Sequence, residues 1–142
     1  MKVKSRINND KLKQIQIESE QALVFTAEAL KNDIIQSQTM PFDTGDLQNT
    51  STHIDISHSS AGVVSIVTDA VQARRLYMHP EYNFNKEHNL NAGGMWFEPY
   101  ITGDKKKLAK TMYNEFMKGK LWDYLNIEMI LKPIMNGKKR FR

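Results

Sequence analysis

Residues 11–38 place Leu12, Ile15, Ala22, Leu23, Thr26, Ala27, Leu30 and Ile34 on one largely apolar stripe at helical spacing. That period predicts one long helix, with Asn9 or Asp10 able to cap its start. Ile17, Val24, Phe25 and Ile35 lie off the stripe. A helix apolar on more than one face has more than one face to bury. The second face predicts either a wide core contact or a second partner, such as a neighbouring subunit. Residues 39–49, TMPFDTGDLQN, break the pattern. Pro41 disfavours helix at Met40, and Asp43, Gly45 and Asp46 favour turns.

The period then changes to two. In STHIDIS (51–57), Ile54 and Ile56 alternate with His53 and Asp55, as in a half-buried strand. GVVSIVT (62–68) carries Val63, Val64, Ile66 and Val67, which suits a more central strand. HSSAG between them reads as a hairpin loop ending in glycine. Ala70, Ala73, Leu76 and Tyr77 return to helical spacing over a short segment. Residues 78–94 have neither period, and MWFEPY (95–100) reads as an aromatic plug fixing the far end of that loop to the core. Thr102 is placed to cap a helix over 103–118, striped by Leu108, Ala109, Met112, Tyr113 and Phe116. Lys106, Lys107 and Lys110 lie off that stripe, and Gly119 is placed to stop the helix. LWDYLNIEMILK (121–132) predicts a further helix, ended by Pro133. The expected fold is α+β: a long N-terminal helix, a small antiparallel sheet built around a hairpin, a long aromatic loop and C-terminal helices.

The 142 residues fit a single domain, with 1–9 and 133–142 expected as flexible ends. At 40% hydrophobic and 25% charged, the composition is that of an ordinary globular chain. No apolar run approaches the ~18–20 residues that cross a bilayer. MKVKSRINND lacks the apolar core of a signal peptide, so synthesis and residence in a cytoplasm are expected. Cysteine is absent, which removes disulfides, thiol nucleophiles and cysteine-based zinc sites together. The net charge is +4, and Lys138, Lys139, Arg140 and Arg142 carry four positive charges. Without them the rest of the chain is formally neutral. A nucleic-acid binder is expected to carry its basic face on the folded part. The tail therefore reads first as a solvated end, and second as a set of phosphate contacts.

Candidate chemistry narrows quickly. His53, Asp55 and His58 are close on the hairpin, but nothing nearby in sequence supplies a second layer of support for a metal. His79, Glu81, Glu87 and His88 have no recognised metal spacing. There is no nucleophile elbow, and Ser57, Ser59 and Ser60 flank His58 only in sequence. Gly93–Gly94 is no phosphate-binding loop. A metal-dependent nuclease needs a histidine base with ligands on a hairpin and helix, and the helix after the loop offers lysines. No catalytic residue, cofactor or metal site is therefore expected. The loop does hold Tyr82, Phe84 and Trp96, residue types that anchor interfaces. Arg74, Arg75, Tyr82, Phe84, Lys86 and His88 are the candidate assembly contacts. For Trp96, Phe97 and Tyr100, packing beneath the loop is the competing role.

The order of motifs carries a resemblance. A long helix leads to TGDLQNTS, a hairpin, VTDAVQARRLYMHPEYNF, a polar loop, GGMWFEPYI and a lysine-rich amphipathic helix. Over roughly residues 10–118 this resembles the minor capsid and head–tail connector (tail-completion, neck) proteins of long-tailed bacteriophages and prophages of Gram-positive bacteria. Thr44, Gly45, Asp46 and Leu47 match the lead-in, and Trp96 to Tyr100 the aromatic-proline motif. The resemblance implies a ring-forming structural protein without an active site, located in the virion and present in the host cytoplasm during assembly. Its implied partners are other copies of itself and connector or tail proteins, with no membrane. The loop is expected to be mobile in a single chain and to order against a neighbour. Two alternatives stand beside it: a DNA-contacting accessory protein of phage packaging, and a small metal-dependent enzyme.

Overall fold

The structure is a computed structural model that describes residues 1–126, with side chains through Gly119. Helix α1 spans Asn9–Gln36. Asn8 caps it, one residue before the predicted caps: its Oδ1 accepts the Lys11 N–H at 3.1 Å. Ala22, Thr26, Ala27 and Ile34 are buried along the predicted stripe. Leu12 at the same period is 54% exposed, because the stripe outruns the domain it covers. The helix ends where Gln38 turns to φ 57°, and its N–H donates to the Ile35 carbonyl.

Helix α2 (Asp46–Asn49) is a single turn entered through Gly45, whose φ is +89°. A Cβ there would be strained and would stand 3.0 Å from Phe42 Cζ, so the TGDL motif requires glycine. Strands β1 (Thr52–Asp55) and β2 (Ser65–Thr68) pair antiparallel, with Thr52 opposite Thr68 and Asp55 opposite Ser65. The loop between them contains a short 3₁₀ turn and ends in Gly62, as expected. The sheet has only these two strands among the described residues, so β2 is an edge strand rather than a central one. Val63 is 53% exposed just before it. Helix α3 (Ala73–Met78) follows, buried through Ala73.

Past the long loop, α4 (Glu98–Ile101) is a single turn, and Thr102 closes it instead of opening the next helix. Lys105 N–H donates to the Pro99 carbonyl, and further turns carry the chain to α5 (Leu108–Asn126). Lys106 and Lys107 thus precede that helix. Gly119 does not stop it: the helix runs on through the glycine, so the predicted break between two helices is not there. Glycine weakens a helix by only about 1 kcal/mol, which continuing hydrogen bonds outweigh. Residues 127–132 of the last predicted helix, and Pro133, lie outside the described residues.

Helix α5 lies along α1. Phe25 and Phe116 meet at 5.7 Å between ring centroids, and Ser19 Oγ and Tyr113 OH share a 2.7 Å hydrogen bond. This covers part of the second apolar face of α1, yet Ile17 stays 51% and Phe25 43% exposed. The central core joins Ile34, Met40, Leu47, Ala73 and Trp96, flanked by Ile66, Ala70, Leu76, Tyr77, Phe97 and Tyr100. No described helix is long and apolar enough to cross a membrane.

Candidate assembly surface

The long loop divides into a fixed part and a displayed part. Asn89 is buried, and its Nδ2 donates to the Met40 carbonyl at 2.8 Å and to Gln48 Oε1 at 2.7 Å. Asn91 N–H donates to the Gln38 carbonyl, Asn91 Nδ2 to the Ser37 carbonyl, and Gly93 N–H to the Thr39 carbonyl. Met95, at φ 53°, donates its N–H to the Tyr77 carbonyl. Residues 89–95 are therefore stitched to the α1–α2 connection and to α3. The loop expected to order against a neighbour thus includes residues 89–95 that are hydrogen-bonded to the rest of the chain. Backbone donors meet backbone acceptors here from segments about fifty residues apart in sequence, a pattern with no periodic signature. Gly94 is required by that closeness: a Cβ would come within 2.9 Å of the carbonyl oxygens of Leu76 and Tyr77.

Residues 79–88 form the displayed arc. His79 Nδ1 and Glu81 Oε1 pair at 2.7 Å, and the His79 ring stacks on Tyr82 at 4.8 Å with 5° between planes. The imidazole beside Glu81 holds that carboxyl below its ordinary range. Tyr82 is 42% exposed and stands 6.3 Å from Phe84. Phe84 is half-buried and lines a cleft of about 330 Å³ with Pro41, Phe42, Leu47 and Leu76. His88 packs on Phe42 at 4.7 Å. Lys86 is exposed, as are Arg74 and Arg75 on α3. Arg74 borders a separate cleft with Met78 and Trp96. Of the six predicted contacts, the structure brings Tyr82 and Phe84 together and places His88 on Phe42, which lines the same cleft as Phe84. The arginines stand on another element. Lys138, Lys139, Arg140 and Arg142 lie outside the described residues.

The plug residues pack as core. Trp96 is 2% exposed and meets Tyr77 edge-on at 4.9 Å. Its Nε1 is buried without a partner among the described residues. Tyr100 OH donates to Asp33 Oδ2 at 2.6 Å, and Lys105 Nζ donates to the same oxygen at 2.7 Å. Burial and the Asp33 carboxylate push the Tyr100 phenol up to about 12. The Lys105 ammonium, followed by the Tyr100 hydroxyl, lowers the Asp33 carboxyl. This cluster, missed in the sequence, ties α1 to the α4–α5 junction. Asp33 lies 67 positions from Tyr100 and 72 from Lys105, so no local signal joins them.

Sequence reasoning also missed an apolar groove of about 390 Å³. Leu23, Ala27 and Leu30 of α1 form one wall, Val64 and Ile66 a second, and Phe97, Ile101 and Ala109 the third. His53 lies exposed on β1, and His58 Nδ1 bonds Ser57 Oγ at 2.9 Å. Among the described residues, no three metal-ligating side chains converge. Comparisons with protein families, with curated proteins and with solved structures find no match to this chain.

Proposed function

We propose that this protein is a non-enzymatic structural component of a phage virion, a minor capsid or neck protein joining head and tail within an oligomeric ring. One observation carries the reading. The three motifs on which the phage resemblance rests are separated in sequence but meet in one core. TGDL contributes Leu47, the ARRLY segment contributes Ala73, Leu76 and Tyr77, and WFEPY contributes Trp96, Phe97 and Tyr100. Motifs that pack on one another behave as parts of one architecture rather than as separate coincidences.

The remaining surface suits assembly. Ile17, Phe25 and Phe116 stay partly exposed, and the apolar groove lies open beside β2. The arc of His79, Tyr82 and Phe84 offers aromatic rings on an anchored base, which lowers the entropy lost on docking. Repeated contacts around a ring give strength that no single pair of surfaces needs to supply. The partners in this reading are other copies of the chain and the adjoining connector or tail proteins. The decisive measurement is native mass spectrometry with negative-stain microscopy of the full chain, alone and mixed with the products of the neighbouring genes. Closed rings are expected. A chain that stays monomeric in both conditions, encoded within a metabolic operon, overturns the reading.

A further inference from the structure

Residues 1–7, MKVKSRI, precede the Asn8 cap and carry neither helix nor strand. All are exposed, with Val3 at 88% and Ile7 at 72%, and among the described residues none makes a hydrogen bond. Their pattern is nonetheless that of a strand. Lys2, Lys4 and Arg6 alternate with Met1, Val3, Ser5 and Ile7, which puts cations on one face and mainly apolar groups on the other. Such a segment lacks only a sheet to join.

Among the described residues the sheet has two strands, and it is the outer edge of β2 that borders the apolar groove. The Asp69 N–H donates to the Ser51 carbonyl, so the antiparallel ladder uses residues 65, 67 and 69 on the β2 side. The main-chain groups of Val64, Ile66 and Thr68 then point away from β1, and among the described residues they have no backbone partner. Ser65–Thr68 reads SIVT, with neither the charge nor the proline that commonly protects an exposed edge. Val64 and Ile66, on the same register, line the apolar groove, to which β1 contributes no residue. A strand added beside β2 would therefore complete the ladder and direct every second side chain into the groove.

We infer that the N-terminal arm of one copy adds as a third strand along β2 of a neighbouring copy, with Val3 and Ile7 in the groove. A chain cannot do this to itself. From Asn8 to Leu23, the nearest groove residue on α1, the helix rises about 22 Å at 1.5 Å per residue. Turned back along the helix, the arm from Asn8 to Val3 spans at most about 17 Å. The cations of the arm fall on the outer face, in solvent beside Ser65 and Val67. This inference rests on the assembly reading above and names the segment that makes the contact.

Two experiments test it. In the first, sedimentation compares the intact chain with the Val3→Asp/Ile7→Asp double variant, under the conditions used to look for rings. The arm is outside the folded contacts, so circular dichroism should be unchanged. Assembly weakened roughly tenfold or more supports the inference, since two buried aliphatic side chains are worth at least that. Equal assembly of both chains overturns the arm contact and leaves the neck reading standing. An intact chain that stays monomeric, alone and with the neighbouring gene products, overturns the arm contact, and the neck reading falls with it where the gene lies in a metabolic operon. The second experiment exploits the absence of cysteine. Val3→Cys or Ile7→Cys chains are mixed with Val64→Cys chains and oxidised, with Asp43→Cys as the exposed control. Disulfides to position 64 well above the control support strand addition, and yields no higher than the control overturn it.

Discussion

Asn89 shows how much one side chain can fix. It is a buried amide whose two N–H bonds end on the Met40 carbonyl of the α1–α2 connection and on the Gln48 side chain of α2. Asn89→Ala leaves the Met40 carbonyl and Gln48 without those donors, which costs about 2–3 kcal/mol. A matching fall in the urea unfolding midpoint is expected, with the slope of the transition unchanged. Asp33 makes a prediction of a different kind. Its folded carboxyl is lowered, first by the Lys105 hydrogen bond and then by that of Tyr100. A depressed folded pKa means that the unfolded chain binds the proton more readily. The stabilisation is therefore fully present above the ordinary carboxylate value of about 3.9 and is lost as pH falls through the lower folded value. Asp33→Asn should be less stable than the parent at neutral pH, and the two stability curves should converge on the acid side. Thermal unfolding of both chains from neutral to strongly acid pH reads this directly.

At the scale of elements, glycine has opposite meanings in two places. Gly94 lies against the backbone of α3 and Pro80, with three backbone atoms within about 3.0 Å of a Cβ position. Gly94→Ala has to push main chain apart and should cost about 1–3 kcal/mol. Gly119 sits inside α5, where a Cβ would meet nothing within 4 Å. Gly119→Ala should stabilise the chain by about 0.5–1 kcal/mol, because glycine there only adds freedom to the unfolded state. Melting temperatures of the two variants should move in opposite directions. The same position exposes the limit of local reading. A glycine after an amphipathic stripe is a reasonable helix stop, but it acts as one only if the chain has a reason to turn there.

At the scale of the whole molecule, the described residues form a thin scaffold: one long helix, a second helix beside it, a two-stranded sheet and short helices of one or two turns. A sheet of two strands is marginal by itself and depends on the helix it packs against. That economy leaves an open strand edge and an open groove, the features that a ring of copies would use. Charge also belongs to this scale. Removing residues 138–142 takes the formal charge from +4 to zero. If the tail supplies the chain's polyanion affinity, the truncated chain should leave heparin at clearly lower salt, with a flatter salt dependence. An unchanged elution would assign that affinity to the folded part, where Arg74 and Arg75 stand exposed.

The sequence by itself determined the long helix, the hairpin, the short α3 and the amphipathic last helix. Each has a period or a turn residue, and those signals are local. It also marked Trp96 and Tyr100 as residues with a packing role to weigh. Tertiary structure alone decided where the caps fall, that β2 is an edge, and that α5 runs through Gly119. It alone joined Asp33, Tyr100 and Lys105, and pinned Asn89 to Met40 and Gln48. These depend on which distant segments meet, and a hydrogen bond across dozens of residues leaves no periodic trace. The groove belongs to the same class, since its walls come from the long helix, β2 and the two C-terminal helices. A cavity is defined by the space between elements, and no single element encodes it.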